Sequence, residues 1–544
     1  MTRKQTTIIT ALSITAFFLA LLVSGRFWFR LDFTKNRAYT ISKVSRNLHT
    51  EIPDPVNITY YLSNRLKTVV PAPGEVEDML REYAAYSRGK IRVTVRDPVK
   101  AGLSKTVEEM GLYPMEIQTV EQDQASVITV YSGIVIEYLE KVEVLPWVIS
   151  TNTLEYDLTS RIRAMAADTQ RQIGVIVGDN FRQWNDENFR YLNMTLYTSG
   201  FRVRLISAGD EIPDTLPGLF VLGGVEDMDD WALYRIDRYI QQGGKVLFAV
   251  KGVYVDSMYG SLEARHQEDR GLLEMISSYG VTVRPELVLD RNALILQYQM
   301  SNPYGGIQSG MTRYPLWIRI MEENANHQHP VSSGLTGLDL YWPSPLELHA
   351  SSTVEATPLF TTTKEAWLMR ENFYTSPMVL YMLEVEAAET KGTKILGAAL
   401  TGEFPSFFRG SPKPVREGSE EELPDLPQRA SPSRIIVVGE TDFTTNLIGS
   451  TQAAHNLDFL TRAADWLVSD DDIIGIRNRQ PHTGRFDKIL DVDSRASAMR
   501  FSQIINVGLV PLFVVAAGLI LASRRKARSR NRGILSVKES QDDV

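Results

Sequence analysis

The chain has 544 residues, room for three or four domains at roughly 150 residues each. Hydrophobic residues make up 43% and charged residues 23%, a balance that excludes a largely disordered chain or a many-span membrane protein. With 58 Lys+Arg against 66 Asp+Glu the net charge is −8, so there is no basic surplus for non-specific nucleic-acid binding. Cysteine is absent, which excludes disulfides, thiolate metal sites, Cys nucleophiles and a lipidated Cys, but assigns no compartment.

Two uncharged apolar runs stand out. Thr7 to Gly25 follows Arg3 and Lys4, and Ile504 to Ala522 precedes Arg524, Arg525, Lys526, Arg528, Arg530 and Arg532. Each run is 19 residues long. At about 1.5 Å per residue a helix of that length spans close to the ~30 Å hydrocarbon core. Phe27, Trp28 and Phe29 suit an interfacial girdle, and Pro511 is tolerable within a membrane helix. Val23-Ser24-Gly25 offers small residues for signal cleavage. The length of the run and its aromatic exit favour an uncleaved anchor instead. The basic tail marks the cytoplasmic side, so both termini are expected there. Nine of the Lys and Arg and three of the Asp and Glu lie outside the two runs and the stretch they enclose, leaving that stretch a net charge of −14. The expectation is a two-span protein with an acidic ectodomain.

In the ectodomain, Val56 to Leu62 alternates as a strand, Glu75 to Ser87 as an amphipathic helix, and Ile91 to Val95 as a second strand. A helix is predicted at Leu103 to Met110. Ser126–Tyr131 and Ile134–Tyr138 read as a hairpin about Ser132-Gly133, and Leu154–Ala167 as a closing helix. This order resembles a thioredoxin-like layer, without the Cys pair that thioredoxin chemistry needs. From Gln172 the pattern changes. Apolar strands at Ile173–Val177, Phe201–Ile206, Gly218–Leu222 and Lys245–Val250 alternate with helices at Glu187–Ser199 and Trp231–Gln242, which predicts a doubly wound α/β layer. Residues 252–403 continue as mixed α/β with a weaker pattern. Phe404 to Ser433 is rich in Pro, Ser, Glu and Arg and reads as a solvated loop. The sheet resumes at Arg434–Glu440, followed by a helix at Asn456–Val468.

Few motifs carry chemistry. There is no Walker loop, and Gly243-Gly244-Lys245 reads as a helix stop. No G-x-S-x-G elbow occurs. Gly178-Asp179-Asn180 ends a strand where ligands bind in α/β folds, yet also suits a capping turn. His327 and His329, two residues apart before Pro330, make a thin metal case and read as surface histidines. Asp470-Asp471-Asp472 is acidic enough to attract a cation but reads as a solvated helix end. Tyr304-Gly305-Gly306 and Tyr341-Trp342-Pro343 are potential sugar platforms, though buried packing is the commoner use of such aromatics. No catalytic residue, metal site or cofactor is predicted.

The segment Arg30-Leu31-Asp32-Phe33-Thr34-Lys35-Asn36-Arg37-Ala38-Tyr39-Thr40-Ile41-Ser42 resembles the juxtamembrane signature of the GldG family of ABC-transporter auxiliary proteins. So do Val438-Gly439-Glu440-Thr441-Asp442-Phe443, Asn456 to Leu460, Asp465-Trp466-Leu467 and Asp470 to Arg477. The resemblance covers nearly the whole chain. It implies an α/β ectodomain between two transmembrane helices, with a thioredoxin-like layer and a glutamine-amidotransferase-like α/β domain. The expected order is a cytoplasmic N-terminus (1–6), first span (7–25), juxtamembrane segment (26–50), thioredoxin-like domain (51–168), auxiliary domain (171–403), flexible loop (404–433), return of the auxiliary domain (434–478), juxtamembrane segment (479–503), second span (504–522) and basic tail (523–544). The implied partners are a separate ABC ATPase, a multi-span permease and the lipid bilayer of a bacterial cytoplasmic membrane, with no nucleic acid. The family supplies no catalytic residues. Asp32, Thr34, Gly439, Asp442 and Asn456 match motif positions and are expected to act as turn, cap or interface residues. The competing expectation is an envelope carbohydrate-binding or carbohydrate-active protein, which would need paired carboxylates or an aromatic groove.

Overall fold

A computed structural model describes residues 40–476, except 70–71, 122–123, 152, 168–170, 179–183, 257–261, 302–306, 350, 378–386, 417–421, 470–472 and 474, together with 516, 518 and 520. Asp32, Thr34, both apolar runs, Tyr304 to Gly306 and Asp470 to Asp472 lie outside the described residues. Among the described residues no helix is long and apolar enough to cross a membrane. The chain divides into two units, Met1–Gln480 and Pro481–Val544. The second contributes only Ala516, Gly518 and Ile520 to the described residues, and every element named below belongs to the first.

After a short helix α1 (Lys43–Asn47), strand β1 (Val56–Leu62) buries Val56, Ile58, Tyr60 and Leu62, the alternate positions of an apolar run. It lies between β2 (Ile91–Arg96), parallel, and β5 (Ser132–Tyr138), antiparallel, with β6 (Lys141–Leu145) outside β5. Helix α2 (Ala72–Tyr86) buries Val76, Leu80 and Tyr83, one helical face, in the same core. Leu154, Leu158 and Ile162 of α4 (Leu154–Ala166) share that core. Between β2 and β5 come α3 (Ser104–Glu109) and a separate hairpin of β3 (Met115–Glu121) and β4 (Gln124–Val130).

The expected hairpin about Ser132-Gly133 is not formed. Instead β3 pairs with β4 and β5 with β6. Only Tyr131 separates β4 from β5, too little chain to reverse direction. The reversal falls at Leu139-Glu140, where Leu139 adopts φ 54° without the Asn or Gly that usually marks such a turn. Gly133 lies inside β5, where a Cβ would sit 2.2 Å from Leu112 Cδ2 and 2.9 Å from the Leu145 carbonyl.

The second sheet has nine strands. Its parallel half runs β18 (Ser433–Val438), β10 (Val246–Ala249), β9 (Leu219–Leu222), β7 (Gln172–Val177), β8 (Arg202–Leu205). Alternate residues face opposite cores. Val175, Phe220, Leu222, Leu247 and Ile436 point to one side, and Ile176, Leu219, Val221, Val246 and Ile435 to the other. The first side is covered by α5 (Asp186–Thr198) and α9 (Ala454–Val468), the second by α6 (Asp230–Gln241) and α7 (Leu272–Ser278). Caps fix these helices locally. Asn185 accepts from the Asn188 N–H and Asp229 from the Ala232 N–H, while Gly243 at φ 91° ends α6.

Residues 252–403 are mixed, with more strand than helix among the described residues. They add β11 (Val281–Val283), β15 (Leu346–Leu348), β16 (Val354–Thr361) and β17 (Ile395–Gly402) to the sheet as its antiparallel half. They also build a separate antiparallel sheet of β12 (Ala293–Ser301), β13 (Ile307–Met321) and β14 (Gly337–Tyr341). The stretch expected to be a solvated loop, 404–433, has no helix or strand among its described residues before β18, but it is anchored. Phe404, Phe408 and Leu423 are buried, and Phe408 stands edge-on to Tyr234 of α6 at 5.3 Å. Buried Asp237 of α6 accepts from Ser406 Oγ at 2.6 Å and from Tyr279 Oη at 2.7 Å. Each buried Phe is worth about 1.5–3 kcal/mol, enough to hold a polar strap against the helix.

Candidate functional site at the carboxyl edge of the sheet

In the parallel half the strand order reverses between β7 and β9, the place where open α/β sheets form their ligand crevice. Here the backbones that leave the two strands run close together. A Cβ on Gly178 would lie 2.5 Å from Gly224 Cα, and the Gly178 N–H donates to the Leu222 carbonyl at 3.0 Å. Asp179 and Asn180 lie outside the described residues.

The segment after β18 forms the next part of this edge. Gly439 passes so close to a neighbouring chain segment that a Cβ would stand 2.1 Å from the Ser344 carbonyl oxygen, and its own carbonyl accepts from the Ser344 N–H at 2.7 Å. Glu440, Thr441 and Asp442 then turn inward and are buried. Asp442 Oδ2 accepts from Lys251 Nζ at 2.5 Å, with both groups about 5% exposed. Glu440 accepts from the N–H groups of Asp442 and Phe443 at 2.5 and 2.6 Å, capping a short 3-10 turn. Burial, and then the charge of Asp442, push the Glu440 carboxyl well above the ordinary value, against the pull of Lys251 and the two N–H donors. Thr441 Oγ1 donates to the Ala249 carbonyl at 2.8 Å. These groups satisfy one another inside the protein, an arrangement that fixes a loop rather than presenting an acid, base or nucleophile to a substrate.

Asn456, in the first turn of α9, joins that helix to the three-stranded sheet. Its Oδ1 accepts from the Asp339 N–H at 2.9 Å, and its Nδ2 donates to the Asp339 carbonyl at 2.8 Å. The Asp339 carboxylate, fully buried, takes Arg319 Nε and Nη2, each at 2.7 Å, and His455 Nε2 lies 3.2 Å away outside hydrogen-bond geometry. Burial alone would raise the Asp339 carboxyl. The arginine and the neighbouring His455 outweigh it and hold it below its usual value. The structure thus brings Gly439, Asp442 and Asn456 onto one buried seam. Lys251, Glu440, Asp339 and Arg319 belong to that seam and were not singled out from sequence. The available signal was a lone charge ending or interrupting an apolar strand, as in Leu247-Phe248-Ala249-Val250-Lys251 and Leu338-Asp339-Leu340.

Outside the seam lies an open cleft of about 640 Å³. One wall is β12 and β13. Their register steps from Ile295 opposite Arg313 to Ala293 opposite Ile318, so β13 leaves its partner around Pro315 and opens a gap. The other wall is Ser450, Thr451 and Gln452, where helix α8 (Leu447–Thr451) ends with Gln452 at φ 57°.

The remaining candidates separate. His329 is half-buried rather than free on the surface. It stands edge-on to Trp466 at 5.1 Å, and burial, reinforced by Arg434, lowers its pKa to about 4. His327 is exposed. Among the described residues no group of three or more His, Cys, Asp or Glu could hold a metal ion. Tyr341 and Trp342 are buried, Trp342 Nε1 donating to Tyr314 Oη at 3.0 Å, so they form no open sugar platform.

Residues 170–463, more than half of the chain, match the family model described as an ABC-type uncharacterized transport system. The chain belongs to this family. Membership gives the protein a transporter-associated role. Residues 35–137 match a domain of unknown function. An uncharacterized protein of Borreliella burgdorferi is 26% identical over 526 residues, covering 95% of this chain and 97% of that protein. Among solved structures, the mmIFT52 N-terminal domain aligns at TM-score 0.31 and 10% identity, over 55% of this chain and 98% of that one. An exo-beta-1,4-mannosidase, Op5Man5 from Opitutaceae bacterium strain TAV5, aligns at TM-score 0.24 and 10% identity, over 74% of this chain and 50% of that one. Neither score is high enough to assign a shared fold.

Proposed function

We propose that this family member is a non-catalytic, GldG-type auxiliary subunit, anchored by two helices in a bacterial cytoplasmic membrane. Its ectodomain, a thioredoxin-like unit followed by an amidotransferase-like α/β unit, would couple to or deliver substrate to a separate ABC ATPase and multi-span permease. The observation that carries this reading is where the two ends of the described ectodomain meet. Tyr156 of α4 packs with Ile473 and Ile476 beside Val44, and its hydroxyl bonds Ser469 Oγ at 3.1 Å. The Ser42 N–H donates to Glu155 Oε1 at 2.7 Å. Residues leading from the first apolar run and residues leading to the second therefore sit together, as two anchors in one membrane require. They do so at the amino edge of the parallel sheet, where Arg434, at the start of β18, donates to the carbonyls of Trp466 and Ser469. The carboxyl edge, with its cleft, is the opposite end of the same strands.

The mutually satisfied Lys251, Glu440 and Asp442 support a binding or coupling role over catalysis. The absence of a Walker loop from the sequence supports a separate ATPase. Coupling would work by differential affinity, the ectodomain binding one permease state better than the other and biasing the equilibrium by that difference. The test is affinity purification of the full chain from native membranes in mild detergent, with mass spectrometry of what co-elutes. Near-stoichiometric recovery of an ABC ATPase and a polytopic permease is expected. Elution alone, or with cell-wall or glycan-synthesis proteins, would overturn the assignment.

A further inference from the structure

The cleft between the β12–β13 gap and the Ser450–Gln452 wall has a definite chemical character. Its size falls in the range of about 300–1,000 Å³ typical of small-molecule sites. Among the described residues no carboxylate lines it, while two arginines do. Their charges are not equivalent. Arg319 is neutralised by Asp339, although its Nη1 carries no bond among the described residues. Arg313 donates to the Ala293 carbonyl at 3.0 Å and has no acidic partner among the described residues. Trp317 and Leu296 supply an apolar wall beside them.

We propose that this cleft binds a small organic anion, with its carboxylate or phosphate on Arg313 and its apolar part against Trp317 and Leu296. A metal cation is disfavoured because nothing in the lining offers it a charged ligand. A neutral molecule would leave the uncompensated guanidinium unused, whereas an oxyanion gains paired, charge-assisted hydrogen bonds from it. The segment between Asp442 and Asn456, both buried in the seam, supplies the cleft's second wall, so a ligand would rest on a fixed frame. This site does not depend on the transporter assignment, since co-purification and cleft binding are read separately.

The experiment uses the full chain in detergent and three ring compounds of similar size: benzoate, phenyl phosphate and neutral benzamide. Binding is followed by calorimetry and ligand-observed NMR. For fragments of this size a dissociation constant of about 1 mM is expected for at least one anion, ten-fold or more tighter than for benzamide. The tighter of the two anions identifies the source as carboxylate or phosphate. Arg313→Ala should weaken anion binding at least ten-fold, and Arg313→Lys should restore part of it, because lysine returns the charge without the planar fork. Arg313 is exposed and makes one hydrogen bond, so both variants should melt as the wild type does. No saturable binding of either anion up to about 10 mM, equal binding of benzamide, or an unchanged affinity in Arg313→Ala would each overturn the proposal.

Discussion

Replacing Asn456 tests whether the seam is held by polar pairing or by packing. The side chain is wholly buried, and its two short bonds satisfy both the N–H and the C=O of Asp339. In Asn456→Ala these two backbone groups stay buried without partners, at about 1–3 kcal/mol each. The better helix propensity of alanine returns at most about 0.7 kcal/mol. The net loss is then about 1–5 kcal/mol, or roughly 2–20 °C in melting temperature at the 2–4 °C per kcal/mol of a larger domain. Asn456→Asp is the sharper probe. It keeps the acceptor for the Asp339 N–H but sets a second oxygen, and a charge, against the Asp339 carbonyl. Burial there raises the new carboxyl's folded pKa above its unfolded value of about 3.9. Its penalty is therefore absent below that value and grows as pH rises through the folded pKa. Thermal melts of both variants and the wild type between mildly acidic and neutral pH supply the readout. Asn456→Asp should be the less stable variant at neutral pH, with its deficit shrinking on acidification. A loss below about 0.5 kcal/mol in Asn456→Ala, or a pH-independent deficit in Asn456→Asp, would refute the pairing account.

Three further outcomes are expected. Lys251→Met strands the buried Asp442 charge beside Glu440 and should cost about 3–5 kcal/mol, and adding Asp442→Leu should recover more than half of it in urea titrations; an additive double variant would count against the pair. His329 has its pKa lowered to about 4, so its neutral form contributes stability fully above the unfolded value near 6.5 and loses it as pH falls toward 4. At roughly 1.36 kcal/mol per pKa unit, the wild type should lose about 2 kcal/mol relative to His329→Phe between pH 7 and pH 5, and parallel melting curves would show that His329 does not titrate in the fold. Glu440 is displaced the other way, so its contribution is complete below its unfolded pKa and lost as pH rises through the folded one. Glu440→Gln should therefore flatten the decline of stability on the alkaline side, while an unchanged alkaline slope would place that decline in other groups.

Much of the local structure was legible in the sequence because it depends on short-range regularities. The run Ile173–Val177 is unbroken apolar and became a strand buried on both faces, and the alternation of Val56 to Leu62 became a strand with its even positions inward. Gly243-Gly244 ended the helix before it, as left-handed backbone favours. The Ser132-Gly133 pair has the composition of a turn but lies inside a strand. Gly133 is required instead by the close approach of Leu112, a contact that sequence spacing cannot express. The polar composition of the Phe404–Ser433 strap conceals three apolar anchors whose partners lie on α6 and its neighbours.

The site divides along the same line. Gly439, Asp442 and Asn456 were visible as motif positions, and the chain's cysteine-free composition and two flanking apolar runs bounded what it could do. That Asp442 pairs with Lys251 across 191 positions, and that Asn456 serves Asp339 across 117, was decided by tertiary structure alone. Burial makes the difference. A charge or amide is cheap in water and specifies little. Removed from water it must find a partner or cost several kcal/mol, and that partner is chosen by which strands the sheet sets side by side. The cleft has the same origin, opening where β13 leaves β12 around Pro315 and closing against a loop more than a hundred residues later in the chain.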